Sequence, residues 1–403
     1  MTTLSIEPKL TRSERSLKSS WPVFEQEEID AVSRVLKSGR VNYWTGEEAR
    51  LFEREFAEYI GCKHAVALAN GTVALELALE ALGVGQRDEV VVTPRSFIAS
   101  VSCVVTRGAI PVFADVDRDS QNITAESIEA VLTPKTKAII VVHLSGWPCD
   151  MDPIMDLAEQ HGIKVIEDCA QAHGAKYKGR TVGTIGHVSA FSFCNDKIMP
   201  TGGEGGMLCT DDEEVWHKAW AYKDHGKSWD AVYNREHPPG YRWLHESFGT
   251  NWRMMEMQAA IGRVALRKLP GWVDARRRNA AILDAHFSNI PICRVTVPPE
   301  GFSHSYWRYF VYLNEERMKE GWSRDRIMSE MQEGGIEGHC GYGGEIYQEK
   351  AFDDTNWRPK ERLLVARELA ESSLLFFVHP TLTEEQMEAK GSIACSVLEE
   401  ASK

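Results

Sequence analysis

The chain has 403 residues, 43% of them hydrophobic and 26% charged. That is apolar surface enough for a large core, and it excludes disordered, collagen-like and disulfide-scaffold proteins. Its 46 Lys and Arg against 59 Asp and Glu leave a net charge of −13, a field that repels polyanions and argues against nucleic-acid or anionic-membrane binding.

At about 150 residues per domain the length suggests two or three domains. The nine cysteines are scattered, with no CxxC pair and no Cys/His cluster at zinc spacing, so no metal site is expected. An odd number of thiols set in apolar sequence suits a reducing compartment. The N-terminal MTTLSIEPKLTRSERS is polar and lacks the apolar core of a signal peptide. The longest apolar runs, near EVVV and AIIVVHL, are far too short to cross a bilayer. A soluble, cytoplasmic protein is expected.

In chain order, residues 1–20 read as a polar arm. A helix follows from Glu28, with Ile29, Val32 and Leu36 on one face and Gly39 as its stop. A second amphipathic helix carries Leu51, Phe52, Phe56, Tyr59 and Ile60 and ends at Gly61. Gly71-Thr72 opens a third helix directly after VALAN. The strands EVVVT, PVFADV, AIIVVHL and KVIED then alternate with helices near Ile98 to Thr106 and Pro153 to His161. The strands VSAFSF and GMLCT bracket a Gly-rich loop, and a long helical stretch runs from Met254 to about Phe287. This alternation predicts an α/β fold, a mostly parallel sheet with helices on both faces. The remainder, with strands such as WRYFVYL, reads as a smaller C-terminal α+β domain. The expected division is an arm at 1–20, a large domain at 21–280 and a small one at 281–403.

In such sheets ligands gather beyond the carboxyl ends of the strands, and the unusual residues lie there. Lys197 sits between a buried-looking strand and the Gly-rich loop. A loop lysine is ordinarily a solvated charge, but one with a lowered pKa can bond covalently to an aldehyde such as that of pyridoxal phosphate (PLP). That cofactor also needs a carboxylate for its ring nitrogen, and Asp168 ends the strand KVIED, where it can equally cap a turn. Its phosphate needs donors, which the helix start at Gly71-Thr72 and the hydroxyl of Ser192 can supply, although such a helix start is commonplace and Ser192 equally fits a plain sheet position. Phe97 follows EVVVT at the same sheet edge, as a ring-stacking aromatic or as core.

The motifs ANGTVALELAL, GAIPVFADVD, VIEDCAQAHGA, YKGRTVGTIG, FSFCNDK, TGGEGGM, GTNWRMMEMQAAIG and SLLFFVHPTLT occur in order from Trp21 to the C-terminus. In them the chain resembles the DegT/StrS family of PLP-dependent sugar aminotransferases, which share the aspartate aminotransferase fold (fold type I). The resemblance implies Lys197 as the cofactor-bonded lysine and proton shuttle, and Asp168 as the partner of the ring nitrogen. It implies Gln171 near the ring, Gly71, Thr72 and Ser192 as phosphate ligands, and Phe97 as the stacking aromatic. Asn251 of GTNWR, by its sequence alone equally a turn residue, matches the asparagine that reaches the other subunit's phosphate, which implies a homodimer with shared active sites. A nucleotide-linked keto sugar (4-keto-6-deoxy or 3-keto) is the implied substrate and glutamate the amino donor. Tyr43, Trp44 and His225 are the candidate substrate contacts, with Asn42, Lys223 and Lys227 beside them.

The triplet Arg276 to Arg278 reads as a solvated helix face rather than a diphosphate clamp, and His143, Gly146 and Trp147 lie past a strand end with nothing to separate them from packing residues. Two features depart from the family pattern: in TPRSF Pro94 stands two residues before Ser96, with Arg95 between them, where the family usually has three, and TGGEGG carries an extra glycine. The rival readings are a sugar dehydratase, a cyclitol aminotransferase of the same family, and a non-catalytic PLP-binding regulator. Family dehydratases carry His in place of the lysine, so Lys197 favours transamination.

Overall fold

In chain order the strands are β1 (His64–Leu68), β2 (Glu89–Val92), β3 (Ile110–Phe113), β4 (Thr136–Val142), β5 (Lys164–Asp168), β6 (Lys176–Tyr177) and β7 (Arg180–Thr181). They continue with β8 (Val188–Ser192), β9 (Gly206–Thr210), β10 (Cys293–Arg294), β11 (Phe302–Ser303), β12 (Tyr309–Leu313), β13 (Gly338–Cys340) and β14 (Ser373–Phe376). This computed structural model describes Leu17, residues 19–340 and residues 344–403. Apart from Leu17, Ser19 and Ser20, the expected N-terminal arm lies outside the described residues.

The central sheet has the order β1-β9-β8-β5-β4-β2-β3. Its β2–β3, β2–β4, β4–β5 and β5–β8 pairs are parallel, and β9 runs antiparallel to both neighbours. This is the mostly parallel α/β sheet expected. Helices cover both faces, so both sets of alternating side chains are apolar. Val90, Val92, Ile140, Val142, Ile166 and Ala190 face the helices Gly71–Ala81, Ala99–Thr106 and Glu213–Tyr222. The intervening residues point the other way. Val91, Ile139, Val141 and Val165 meet the helices Met151–His161 and Leu364–Ser372, and Phe191, Met207 and Cys209 meet Glu48–Ile60 and the start of Glu256–Phe287.

The helix Gln26–Ser38 ends at Gly39 (φ 70°) and Glu48–Ile60 at Gly61 (φ 91°), both left-handed caps that glycine adopts without Cβ strain. PVFADV leaves the sheet after Phe113. Asp115 accepts the N–H groups of Val365 and Ala366 at 3.0 and 2.9 Å, binding the first turn of the helix Leu364–Ser372. That partner is 250 residues away and invisible to local pattern.

The 32-residue helix Glu256–Phe287 passes residue 280 without a break. Near its start Gly262 lets Phe52 approach so closely that a Cβ would stand 2.7 Å from the ring. Its last turns, through Ala280, Leu283 and Phe287, pack with the antiparallel sheet β10-β12-β14-β13 and the helices Arg324–Glu333 and Glu384–Ala401. A third sheet, β11-β6-β7, is small. No helix among the described residues is long and apolar enough to cross a membrane.

Phe56 is 1% exposed and packs edge-on against Phe191 and Phe193 at 5.0 and 5.5 Å. Phe56→Ala is expected to cost about 3–5 kcal/mol, measured by denaturant unfolding of the full chain. A loss below about 1 kcal/mol would contradict this packing.

Candidate active site

Beyond the carboxyl ends of β1, β2, β5 and β8 lies a cavity of about 540 Å³. Gly71, Thr72, Phe97, Asp168, Gln171, Ser192 and Lys197 all line it, so the structure brings seven predicted residues together.

The helix Gly71–Ala81 starts at the cavity wall with its N–H groups unspent, except where the Asn70 side chain accepts from Val73 N at 3.0 Å. Gly71 is a steric requirement, because a Cβ there would stand 2.5 Å from Ser192 Cβ. The close approach sets the Ser192 hydroxyl beside the positive end of the helix dipole, a ready anion cradle.

Asp168 ends β5 and is 4% exposed. Ser100 Oγ donates to its Oδ2 at 2.7 Å and Ala170 N–H to its Oδ1 at 3.1 Å. Burial raises its pKa, opposed by these bonds and by Lys197. Lys197 is 8% exposed, with Nζ 3.8 Å from Asp196 Oδ1 and 4.5 Å from the centre of the Trp307 ring. Burial lowers the pKa of this amine, against the pull of Asp196 and Asp168. Gln171 Oε1 accepts from Ser145 N at 2.8 Å, and Phe97 stands at the rim, 54% exposed.

The departure in TPRSF has a clear role. Arg95 is fully buried and donates twice to Gln121 Oε1, at 2.6 and 3.2 Å. The Pro94 carbonyl accepts Ile346 N–H at 2.9 Å. Arg95 and Pro94 thus anchor the turn that carries Ser96 and Phe97.

The structure places the other candidates elsewhere. Tyr43 is corrected: it is 1% exposed, donates to Glu53 at 3.2 Å and accepts from Trp220 Nε1 at 3.2 Å, so it is core and not a substrate contact. Trp44 is half-buried with the Lys227 ammonium 3.9 Å from its ring centre. His225 is exposed and donates its N–H to Thr250 O, and exposed Asn251 bridges to Asp224. These three do not line the cavity of their own chain. Arg276 is likewise no solvated residue: it is fully buried, with Nη1 on the carbonyls of Tyr306 and Trp307.

His143, Glu167 and Cys169 lie close enough together to suggest a metal site. The ring nitrogens of His143 and the carboxylate of Glu167 are already engaged. His143 Nδ1 accepts Cys149 N–H, so its Nε2 carries the proton donated to Glu167, which also accepts from Gly183, Ile185 and Gly186.

Sequence reasoning passed over Ser96, Ser100, Asp196 and Glu204, which also line the cavity. For the two serines the signal was only their position: both fall between the end of β2 and the first turn of the helix Ala99–Thr106, at the sheet edge where the other candidates lie.

A sequence profile of the DegT/DnrJ/EryC1/StrS aminotransferase family matches residues 22–390. The chain belongs to this family. The family's UDP-N-acetyl-3-dehydro-alpha-D-glucosamine 3-aminotransferase from Acidithiobacillus ferrooxidans is 36% identical over 371 residues, 92% of this chain and 94% of that protein. The GDP-perosamine synthase of Caulobacter vibrioides is 40% identical over 288 residues, 71% of this chain and 74% of that one. The X-ray structure of an aminotransferase from Psychrobacter cryohalolentis is 55% identical, with a TM-score of 0.93, and the match covers 95% of this chain and 99% of that one. The protein is a DegT-family aminotransferase of fold type I, and its cofactor is pyridoxal 5'-phosphate.

The cavity fits that group. A helix start with a hydroxyl beside it suits the phosphate, a buried carboxylate suits the ring nitrogen, and a buried amine suits the aldehyde. Gly71→Ala is expected to force the helix start away from Ser192 and weaken cofactor binding at least tenfold, read by titrating the cofactor-free chain. Unchanged affinity would show that this approach is not what holds the phosphate.

Proposed function

We propose that this aminotransferase converts a nucleotide-linked keto sugar, 4-keto-6-deoxy or 3-keto, to an amino sugar with glutamate as donor. The observation that carries the reading is the placement of Lys197 and Asp168 in one cavity with an anion cradle opposite. The names of the relatives support the substrate class, one being a 3-aminotransferase of a UDP-linked 3-dehydro sugar and another a GDP-perosamine synthase.

Lys197 would hold the cofactor through its aldehyde, and Asp168 would keep the proton on its ring nitrogen. Gly71, Thr72 and Ser192 would hold its phosphate, and Phe97 and Gln171, which line the same cavity, would contact its ring. When bound, the cofactor supplies an aldehyde for the incoming amine and a protonated ring that draws electrons from the bond being broken. Lys197 Nζ is the base that removes the proton from the donor's α-carbon and, in the second half-reaction, delivers one to the sugar carbon. Its burial suits it to this work, because an amine that gives up its charge readily is free to accept a proton.

A homodimer belongs to the same reading, with Asn251, Trp44 and His225 serving the partner's cavity. The exposed aromatics Tyr241, Trp243 and Phe248, at 76%, 80% and 97% just before Asn251, support a covered surface there. A large cofactor-holding domain up to residue 280, a smaller one beyond it, and a cytoplasmic location complete the proposal. Eight free thiols among the described residues support the last.

The test is the visible spectrum of the purified protein. Glutamate is expected to bleach the cofactor's band, a nucleotide-linked keto sugar to restore it, and Lys197→Ala to abolish both changes. If cofactor binds but glutamate leaves the spectrum unchanged, the donor assignment is wrong. If no keto-sugar nucleotide restores the band, the substrate class is wrong.

A further inference from the structure

The turn from β2 into the helix Ala99–Thr106 brings two hydroxyls into line behind Asp168. Ser100 Oγ donates to Asp168 Oδ2 at 2.7 Å, and Ser96 Oγ lies 2.9 Å from Ser100 Oγ. Both serines are buried, 2% and 5% exposed. Ser100 has one hydroxyl proton and spends it on the carboxylate, so the bond between the serines uses the proton of Ser96. The chain therefore has one direction, from Ser96 to Ser100 to Asp168. Ser96 is held in place by the anchored turn, with Arg95 on Gln121 and the Pro94 carbonyl on Ile346.

We propose that Ser96 and Ser100 are positioning residues, a hydroxyl relay that keeps Asp168 ionised and aimed at the cofactor's ring nitrogen. The inference rests on the reading of Asp168 as the partner of that nitrogen. A carboxyl in an apolar site takes up a proton unless donors oppose it, and a neutral acid cannot stabilise a protonated ring. A hydroxyl donating to a carboxylate is a charge-assisted bond, and a second hydroxyl behind it polarises the first.

The other groups facing Asp168 leave this work to few candidates. From the helix Ala99–Thr106 comes Cys103, from the loop beyond β4 Cys149, and from the end of β5 Cys169, all three thiols that burial keeps protonated. His143, beyond β4, is committed to Glu167 on the opposite face. Lys197 favours the carboxylate's charge but also has to leave it to do chemistry. The serines remain throughout.

The test titrates the full-length, cofactor-free chain with pyridoxal 5'-phosphate between about pH 5.5 and 9, following tryptophan fluorescence. Removing the donor raises the pKa of Asp168, so the fall of affinity on acidification starts at higher pH. Ser100→Ala is expected to bind about tenfold more weakly, with that acid limb about one pH unit higher. Ser96→Ala is expected to shift the same way by less, and Ser100→Thr, which keeps a hydroxyl, to restore both quantities. Should Ser100→Ala fail to fold, judged by circular dichroism, Ser96→Ala carries the test. Unchanged affinity and acid limb in the alanine variants, or Ser100→Thr as weak as Ser100→Ala, overturns the relay. Asp168→Asn separates the two claims. If it binds as tightly as the unaltered chain, the reading of Asp168 itself fails; if it binds weakly while the serine variants bind normally, the relay alone fails.

Discussion

Ionised carboxylates at the end of an apolar sheet are the constraint around which this molecule is arranged. Asp168 and its neighbour Glu167 are adjacent in β5 and both almost wholly buried, yet strand geometry sends them to opposite faces. Glu167 meets His143 and three backbone N–H groups from the turn Gly183 to Gly186. Burial pushes its carboxyl up, but these donors hold it below the usual range. Asp168 receives two donors from the chain, and its pKa stays raised. One carboxylate is saturated and structural; the other fronts a cavity with bonding capacity to spare. Burying a charge without partners is costly, so an incompletely satisfied carboxylate is conspicuous.

The cavity owes its shape to backbone approach as much as to side chains. Gly71 brings a helix start against Ser192, and Gly206 lies where a Cβ would stand 2.2 Å from the Asn70 carbonyl. Both contacts draw β1, β8 and β9 tightly around one end of the sheet. Free N–H groups, a hydroxyl, a carboxylate and an amine then converge on one cavity, with Asp168, Ser192 and Lys197 themselves buried. Around buried groups water screens charge weakly, so fixed donors act strongly.

Much of this order was legible in the sequence. The periodicity of EVVV, AIIVV and VIED marks buried parallel strands, and the even–odd alternation sets Asp168 on the same face as Ile166 and Ser192 on the same face as Ala190. Gly39 and Gly61 mark helix ends because the left-handed conformation suits glycine. Lys197, Asp168, Gly71 and Ser192, each weak alone, stood out together because all fall at one edge of the inferred sheet. Tyr43 misled, since an aromatic beside an exposed loop reads the same whether it faces solvent or core. Arg276 misled in the opposite sense, its burial depending on the carbonyls of Tyr306 and Trp307 some thirty residues away.

What the sequence determined by itself, then, is the alternation of strands and helices, the faces those strands present and the identity of the groups at their ends. These follow from local rules of period, capping and chain reversal. Only the tertiary structure decided that Arg95 would close on Gln121, that Asp115 would bind the first turn of Leu364–Ser372, and that Ser96 and Ser100 would stand behind Asp168. Each of these joins groups far apart in the chain. Their partners are chosen by the packing of whole layers, which no local window of sequence contains.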